Sequence, residues 1–229
     1  MEGELKVVGT PIGNLEDLSY RAVRILSEAD CIAAEDTRQT RKLLDRYEIS
    51  TPLISHHKFN EAQREEVLIK RMMEGEVIAL VSDAGMPGVA DPGERLIRQC
   101  QQSGINVEVI PGPCAVIHAL VASGFPALPF AFYGFLPVKS GGRRKAIEEA
   151  AQRPHTSLYF ESPHRLMKTL EVIAEVMPER PICVGRELTK LYEESPQGRA
   201  GDLLDYFGKK TVKGEITLVI SALDGKRRG

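Results

Sequence analysis

No apolar run in the 229-residue chain approaches the roughly 20 residues that a membrane-crossing helix needs. No membrane partner is therefore expected. The amino terminus, MEGELKVVG, lacks the basic stretch and apolar core of a secretory signal, so the expected location is cytoplasmic. Cysteine is scarce: Cys31, Cys100, Cys114 and Cys183 lie far apart and form no C-x-x-C pair. That spacing argues against a disulfide framework and for reduced thiols used as small apolar residues. Histidine is equally thin. His56 and His57 are adjacent, which does not put two ligands on one helix face, and the other three are isolated. Each is expected to be hydrogen-bonded or exposed, with no metal bound. Net charge is only −2. No global positive field announces nucleic acid, so any such surface must be a local patch. Internal repeats and low-complexity segments are absent from the sequence.

What the chain does have is organised around residues 77–93, VIALVSDAGMPGVADPG. Val77, Ile78, Ala79, Leu80 and Val81 form an unbroken apolar run, the mark of a strand buried on both faces. It ends in Ser82, Asp83, Ala84 and Gly85. Open α/β sheets bind ligands just past the carboxyl ends of their strands. Asp91, Pro92 and Glu94 then stand as cap, first and third residues of a helix, which predicts a capping box. A βα loop with strong turn chemistry and no ligand is the plainer alternative.

Earlier in the chain, residues 5–8 read as a short strand followed by Gly9-Thr10-Pro11-Ile12-Gly13-Asn14. This loop has neither the Lys-Ser/Thr of a P-loop nor a G-x-G-x-x-G fingerprint. Leu18, Ala22, Ile25, Leu26 and Ala29 keep helical spacing, with Asp17 as the expected cap. Residues 31–34 make a second strand ending in Glu35 and Asp36. Nucleotide-binding sheets hold a ribose with a carboxylate at this point, although ordinary loop charge would look the same. A basic helix over 38–47, a third strand at 53–55 and a third helix opened by Asn60 follow. Beyond the central strand come a helix over 96–102 and a strand over 105–110. Alternation at this spacing implies a doubly wound parallel sheet.

Pro111-Gly112-Pro113 breaks the pattern and divides the chain into expected α/β domains at 1–112 and 113–229. An apolar helix over 114–123 and a strand over 130–136 come next, then a basic loop with Lys139, Gly141, Gly142, Arg143, Arg144 and Lys145. Residues 157–160 read as a strand closing on Glu161-Ser162-Pro163-His164-Arg165, with a helix to residue 176. Another strand over 182–185 runs into Arg186-Glu187-Leu188-Thr189-Lys190. The last strand, 215–221, alternates polar and apolar residues, which suggests a mixed sheet with an antiparallel part. The closing Lys226, Arg227 and Arg228 read as a solvated, frayed tail.

Six motifs occur in order: GTPIGNL from Gly9, AEDTR from Ala34, SDAG from Ser82 with Asp91-Pro92-Gly93, Pro111-Gly112-Pro113, ESPHR from Glu161, and GRELTK from Gly185. Together they resemble the bacterial 2′-O-ribose methyltransferases that modify a cytidine of small-subunit (16S) ribosomal RNA. Those enzymes belong to the tetrapyrrole methylase-like (class III) S-adenosylmethionine-dependent methyltransferases. Met86-Pro87-Gly88-Val89-Ala90 departs from the family's usual Thr-Pro-Leu-Ile-Ser, Cys114 stands where serine is common, and 194–198 is also unusual. The resemblance implies two α/β domains, an N-terminal Rossmann-like parallel sheet and a C-terminal mixed sheet, with S-adenosyl-L-methionine in the cleft between them, and a homodimer. It further implies that Pro11, Glu35, Ser82, Asp83, Ala84, Gly85, Cys114, Ala115, Glu161 and Leu188 line the cofactor, several through backbone atoms.

In-line methyl transfer to a ribose hydroxyl depends on positioning and on a group that takes the proton. Asp36, Glu187 and Lys190 are the candidates, Lys190 only if its pKa is depressed. Each could equally be a salt-bridged structural residue. Arg38, Lys139, Arg143, Arg144 and Lys145 are the expected RNA-binding cations, and a solvated helix start is the alternative for the triplet. Three functions compete. Ribosomal RNA, free or in the assembled small subunit, is the expected partner of the first. Methylation of a tetrapyrrole or other small molecule by the same fold is the second, and the basic loop speaks against it. A non-enzymatic nucleotide-binding module is the third, and it leaves the ESPHR and GRELTK motifs unexplained.

Overall fold

The computed structural model describes residues 3–223. The expected tail of Lys226, Arg227 and Arg228 lies outside them. The chain divides between Cys114 and Ala115 into two compact units.

In the first unit, β1 (Glu4–Val8), β2 (Cys31–Ala34), β3 (Leu53–Ser55), β4 (Val77–Val81) and β5 (Asn106–Ile110) form one sheet in the order β3-β2-β4-β1-β5. Every pairing is parallel. Burial on both faces follows from side-chain alternation. Val8, Ile32, Ala34, Ala79, Val81 and Ile110 pack on one face against Leu26 of α1 (Tyr20–Glu28) and Leu44 of α2 (Thr37–Arg46). Leu5, Val7, Ala33, Ile78 and Leu80 pack on the other against Leu68 and Met72 of α3 (Glu61–Met73) and Leu96 of α4 (Glu94–Gln102). Strands covered twice must be apolar throughout, which is why 77–81 reads as it does.

Two caps differ from expectation. The α1 cap is Ser19, whose Oγ accepts from the Ala22 N–H, because Asp17 is spent in a 3-10 turn, Leu15–Asp17. No capping box forms at Asp91. The α4 helix begins at Glu94 behind Gly93, whose φ of 133° keeps the preceding residues out of the helix.

The second unit contains α5 (Ala115–Ser123), β6 (Phe130–Phe135), α6 (Ser140–Ala151), β7 (Thr156–Glu161), α7 (Leu166–Val176), β8 (Ile182–Arg186), β9 (Gln197–Gly198), α8 (Ala200–Gly208) and β10 (Ile216–Ile220). Its sheet runs β6-β7-β10-β8-β9. The β6–β7 pair is parallel, whereas β10 is antiparallel to both β7 and β8. The antiparallel part is thus present, but β10 is central and buried along its whole length rather than half-exposed. A second correction concerns 139–145. The expected flexible loop is the start of α6, with Arg143 buried and its Nη1 3.3 Å from the Val138 carbonyl. One cluster built on Tyr159, Leu170, Ile173, Phe207 and Leu218 forms this unit's core.

Candidate active site

In the first unit the loops after β1, β2, β4 and β5 all leave the carboxyl edge of the parallel sheet. The β1 loop is tied to the β4 loop by a reciprocal backbone pair: Thr10 N–H donates to Gly85 O at 2.9 Å, and Gly85 N–H to Thr10 O at 3.1 Å. The Thr10 hydroxyl also donates to Ser82 O at 3.2 Å. Gly9 and Gly112 explain each other. A Cβ on Gly9 would lie 2.7 Å from the Gly112 backbone, so the β1 and β5 loops touch only because neither has a side chain. Pro11, Ser82 and Gly85 are consequently buried, and Ala84 and Cys114 are half-buried.

Carboxylates collect on this frame. The Asp36 backbone N–H donates to Asp83 Oδ1 at 2.9 Å, which joins the ends of β2 and β4. Desolvation, with Asp91 and Asp83 beside it, pushes the Glu35 carboxyl above its ordinary pKa. Asp83 is also raised, by desolvation and by the charge of Asp36, against the pull of that hydrogen bond. Asp36 goes the other way. Hydrogen bonds from the Arg38 side chain and backbone bring its carboxyl down to about 2. Its Oδ1 caps α2 through the Arg38 N–H at 2.8 Å. A carboxylate held that far down is a weak proton acceptor at neutral pH. Arg38→Ala should therefore return the Asp36 carboxyl from about 2 toward 3.8, read by NMR titration of the side chain.

In the second unit, Glu161 ends β7 fully buried and fully engaged. It accepts from Ser162 N–H at 2.7 Å and from the Thr169 hydroxyl at 2.5 Å, and pairs with Arg165 at 2.6 Å. The turn after β8 holds Leu188 buried between two residues with positive φ, Glu187 at 51° and Thr189 at 65°. Non-glycine residues rarely adopt that conformation, and here neighbouring contacts impose it. Lys190 lies 2.9 Å from Glu187 and 3.0 Å from Glu215. Gly214 makes room for this cluster, since a Cβ there would collide with the Glu187 carboxyl group. Burial opposes ionisation of both residues, yet the Lys190 hydrogen bond and the Glu215 N–H win, so Glu187 is held low. Lys190 is raised by its two carboxylate partners against the same desolvation. The condition for Lys190 as a base, a depressed pKa, is not met.

The expected RNA-binding cations separate in the structure. Lys139, Lys145 and Arg38 are exposed, Arg144 pairs with Glu175, and Arg143 turns inward. Sequence reasoning missed the cluster of Arg186, Glu194, Tyr206 and Lys210. Glu194 there accepts from Tyr206 at 2.7 Å and pairs with Arg186 and Lys210, and these hydrogen bonds outweigh desolvation to hold it at about 2. Only the unusual 194–198 segment marked it in the sequence.

A doubly wound parallel sheet with carboxylates gathered at its edge, followed by a mixed sheet carrying a strained buried turn, makes this a two-unit α/β protein. The chain belongs to the tetrapyrrole (corrin/porphyrin) methylase family, whose model matches residues 4–204. It is 47% identical over 219 residues to "Ribosomal RNA small subunit methyltransferase I" of Halalkalibacterium halodurans, an alignment covering 96% of this chain and 76% of that protein. The protein of the same name from Thermotoga maritima is 43% identical, with 96% and 98% covered. Uroporphyrin-III-C-methyltransferase from Thermus thermophilus shares the fold, with a TM-score of 0.66 at 23% identity over 97% of this chain and 96% of that one. The protein is an enzyme that uses S-adenosylmethionine as methyl donor.

Proposed function

We propose that this enzyme transfers the methyl group of S-adenosylmethionine to the 2′-oxygen of a cytidine ribose in small-subunit ribosomal RNA. The observation that carries the substrate is identity above 40% along almost the whole chain to relatives named for that RNA. The fold alone would serve a tetrapyrrole equally well. The cofactor reading rests on the crowding of Glu35, Asp83 and Asp91, whose mutual repulsion a sulfonium cation relieves. Pro11, Ser82, Ala84 and Gly85 supply rigid backbone beside those carboxylates. The amino-acid end and ribose of the cofactor need such backbone donors and acceptors. Leu188 is presented by its strained turn, while Glu161 anchors its own ESPHR segment through Ser162, Arg165 and Thr169. Cys114 and Ala115 complete the proposed cofactor set.

Among the base candidates, Asp36 and Lys190 are set for ion pairing. Glu187, also held low, is a hydrogen-bond acceptor before it is a base. Their contribution is to orient the hydroxyl, whose proton passes to solvent water as the methyl group is transferred. A cytoplasmic homodimer acting on RNA or on the assembled subunit completes the proposal. Incubation with tritiated cofactor and either naked 16S RNA or small subunits, followed by mapping, should place label on a cytidine ribose. Label on a tetrapyrrole acceptor with none on RNA would replace this reading.

The cations contribute unequally. Replacing exposed Lys139 and Lys145 with alanine should flatten the salt dependence of RNA binding, by roughly 0.7–0.9 per lost phosphate contact, without altering cofactor affinity. Arg143→Ala should instead lower thermal stability, because that side chain fills buried space. A wild-type salt slope in the double lysine variant would remove this surface from the RNA interface.

A further inference from the structure

The expectation that each histidine is hydrogen-bonded or exposed fails at His56. Its ring is 1% exposed, and neither Nδ1 nor Nε2 has a hydrogen-bond partner among the described residues. Buried polar atoms without partners are uncommon in folded proteins and call for an explanation. Glu61 and Glu65 face the ring, and one ligand atom from each of the three residues lies within 4.8 Å of the other two. Glu65 is fully buried. Its one ion-pair partner among the described residues, Arg95 Nε at 2.7 Å, is not placed to make a good hydrogen bond.

We propose that His56, Glu61 and Glu65 bind a divalent transition-metal ion, Zn²⁺ being the representative, at the junction of β3 and α3. One imidazole and two carboxylates are a donor set that suits such an ion. Small rotations of the two glutamates would bring the three atoms to the 2.0–2.2 Å metal–ligand lengths typical of Zn²⁺. The local backbone is already fixed without the ion. His56 N–H donates to Ala34 O at 2.8 Å, which sets the ring beside the end of β2. The intervening turn is closed by Asn60, whose Oδ1 accepts from His57 N–H at 2.8 Å and whose Nδ2 donates to Ser55 O at 3.2 Å. Glu61 and Glu65 sit one helical turn apart on one face, where two like charges destabilise a helix unless a cation lies between them. Arg95 answers only Glu65. The ion would clamp the edge strand of the parallel sheet to α3, close to Glu35.

The test uses the full chain after chelator treatment, with Zn²⁺ or Co²⁺ chloride as the only added ligand. Calorimetry should show one tight site per chain, and Zn²⁺ should raise the melting temperature. The Co²⁺ complex should give visible d–d bands with no thiolate charge-transfer band, because no cysteine belongs to the set. His56→Phe should abolish this binding. Glu61→Gln, a change at a partly exposed position that the fold should tolerate, should weaken it by about 100-fold or more, above the 10–100-fold usual for groups behind the ligands. His57→Ala should leave it unchanged. No site tighter than millimolar, wild-type affinity in Glu61→Gln, or a thiolate band would overturn the proposal.

Discussion

Asp83→Arg is expected to leave a folded protein whose affinity for S-adenosylmethionine has fallen by at least about 100-fold. Asp83 does two things in the structure: it carries one of the crowded negative charges and it ties Asp36 N–H to the end of β4. Arginine reverses the charge, and two unit charges about 5 Å apart interact by about 3 kcal/mol at an effective dielectric near 20. Asp83→Asn separates the two roles, because its amide oxygen still accepts the Asp36 N–H. It should weaken the cofactor more than the demethylated product, which has lost the sulfonium charge. Acidification should act like the asparagine. Glu35 and Asp83 both titrate above their ordinary 4.5 and 3.8, so lowering pH through those raised values neutralises them and selectively loosens the cofactor. Without cofactor the sign inverts for stability. The folded protein then binds protons that the unfolded chain does not, so these two groups favour folding as pH falls toward their ordinary values. Calorimetric titrations of both ligands across pH check the set, and equal losses for cofactor and product would remove the sulfonium from this corner.

The parallel half was legible because its inner strands are buried on both faces. A strand such as 77–81 has no polar position to blur its limits, and its neighbour at 31–34 and the half-buried edge strand at 53–55 were also clear. Local capping was less legible. Asp91-Pro92-Gly93-Glu94 spells a capping box, yet Gly93 takes a conformation that starts the helix after the box has passed. Propensity gave way there to the backbone of Gly93, whose φ of 133° lies outside the helical region. The second unit hid more. Gly141 and Gly142 made a helix start look like a loop, and α8 carried too little periodic signal to stand out. The central β10 looked amphipathic because Thr217 is polar, although it is buried with the rest.

At the proposed site, ordered motifs name the loops but not the state of the groups on them. Asp36 reads as a free carboxylate in sequence and is a helix cap paired with Arg38 in space. Lys190 reads as a possible base and is held between two carboxylates, one of them 25 residues away. His56 reads as one of an adjacent pair with no ligand spacing. Its companions come from the next helix, at offsets that no histidine-rich pattern would reveal. Partners across a turn or a sheet set protonation, and sequence spacing alone does not report them.

Arg165→Ala is expected to destabilise the second unit by about 3 kcal/mol, the lower end of the cost of removing one partner from a buried ion pair. The loss falls on Glu161, which stays buried with its carboxylate answered, among the described residues, by Ser162 N–H and the Thr169 hydroxyl. Those two remaining hydrogen bonds are the reason to expect the lower end of the range. Glu161→Gln should cost less. The amide oxygen keeps the Ser162 hydrogen bond, its NH₂ can donate to the Thr169 oxygen, and Arg165, with 18% of its side chain exposed, can turn toward water. Urea unfolding with an unchanged m-value would give both differences as shifts in midpoint. The same pair of variants separates anchoring from ligand binding. If Glu161 serves as the internal anchor of its motif, Glu161→Gln binds cofactor with near wild-type affinity while Arg165→Ala is the less stable protein. If the carboxylate itself meets the cofactor, the order changes: the glutamine variant loses affinity at almost unchanged stability, and Glu161 moves from the frame of the site into its lining.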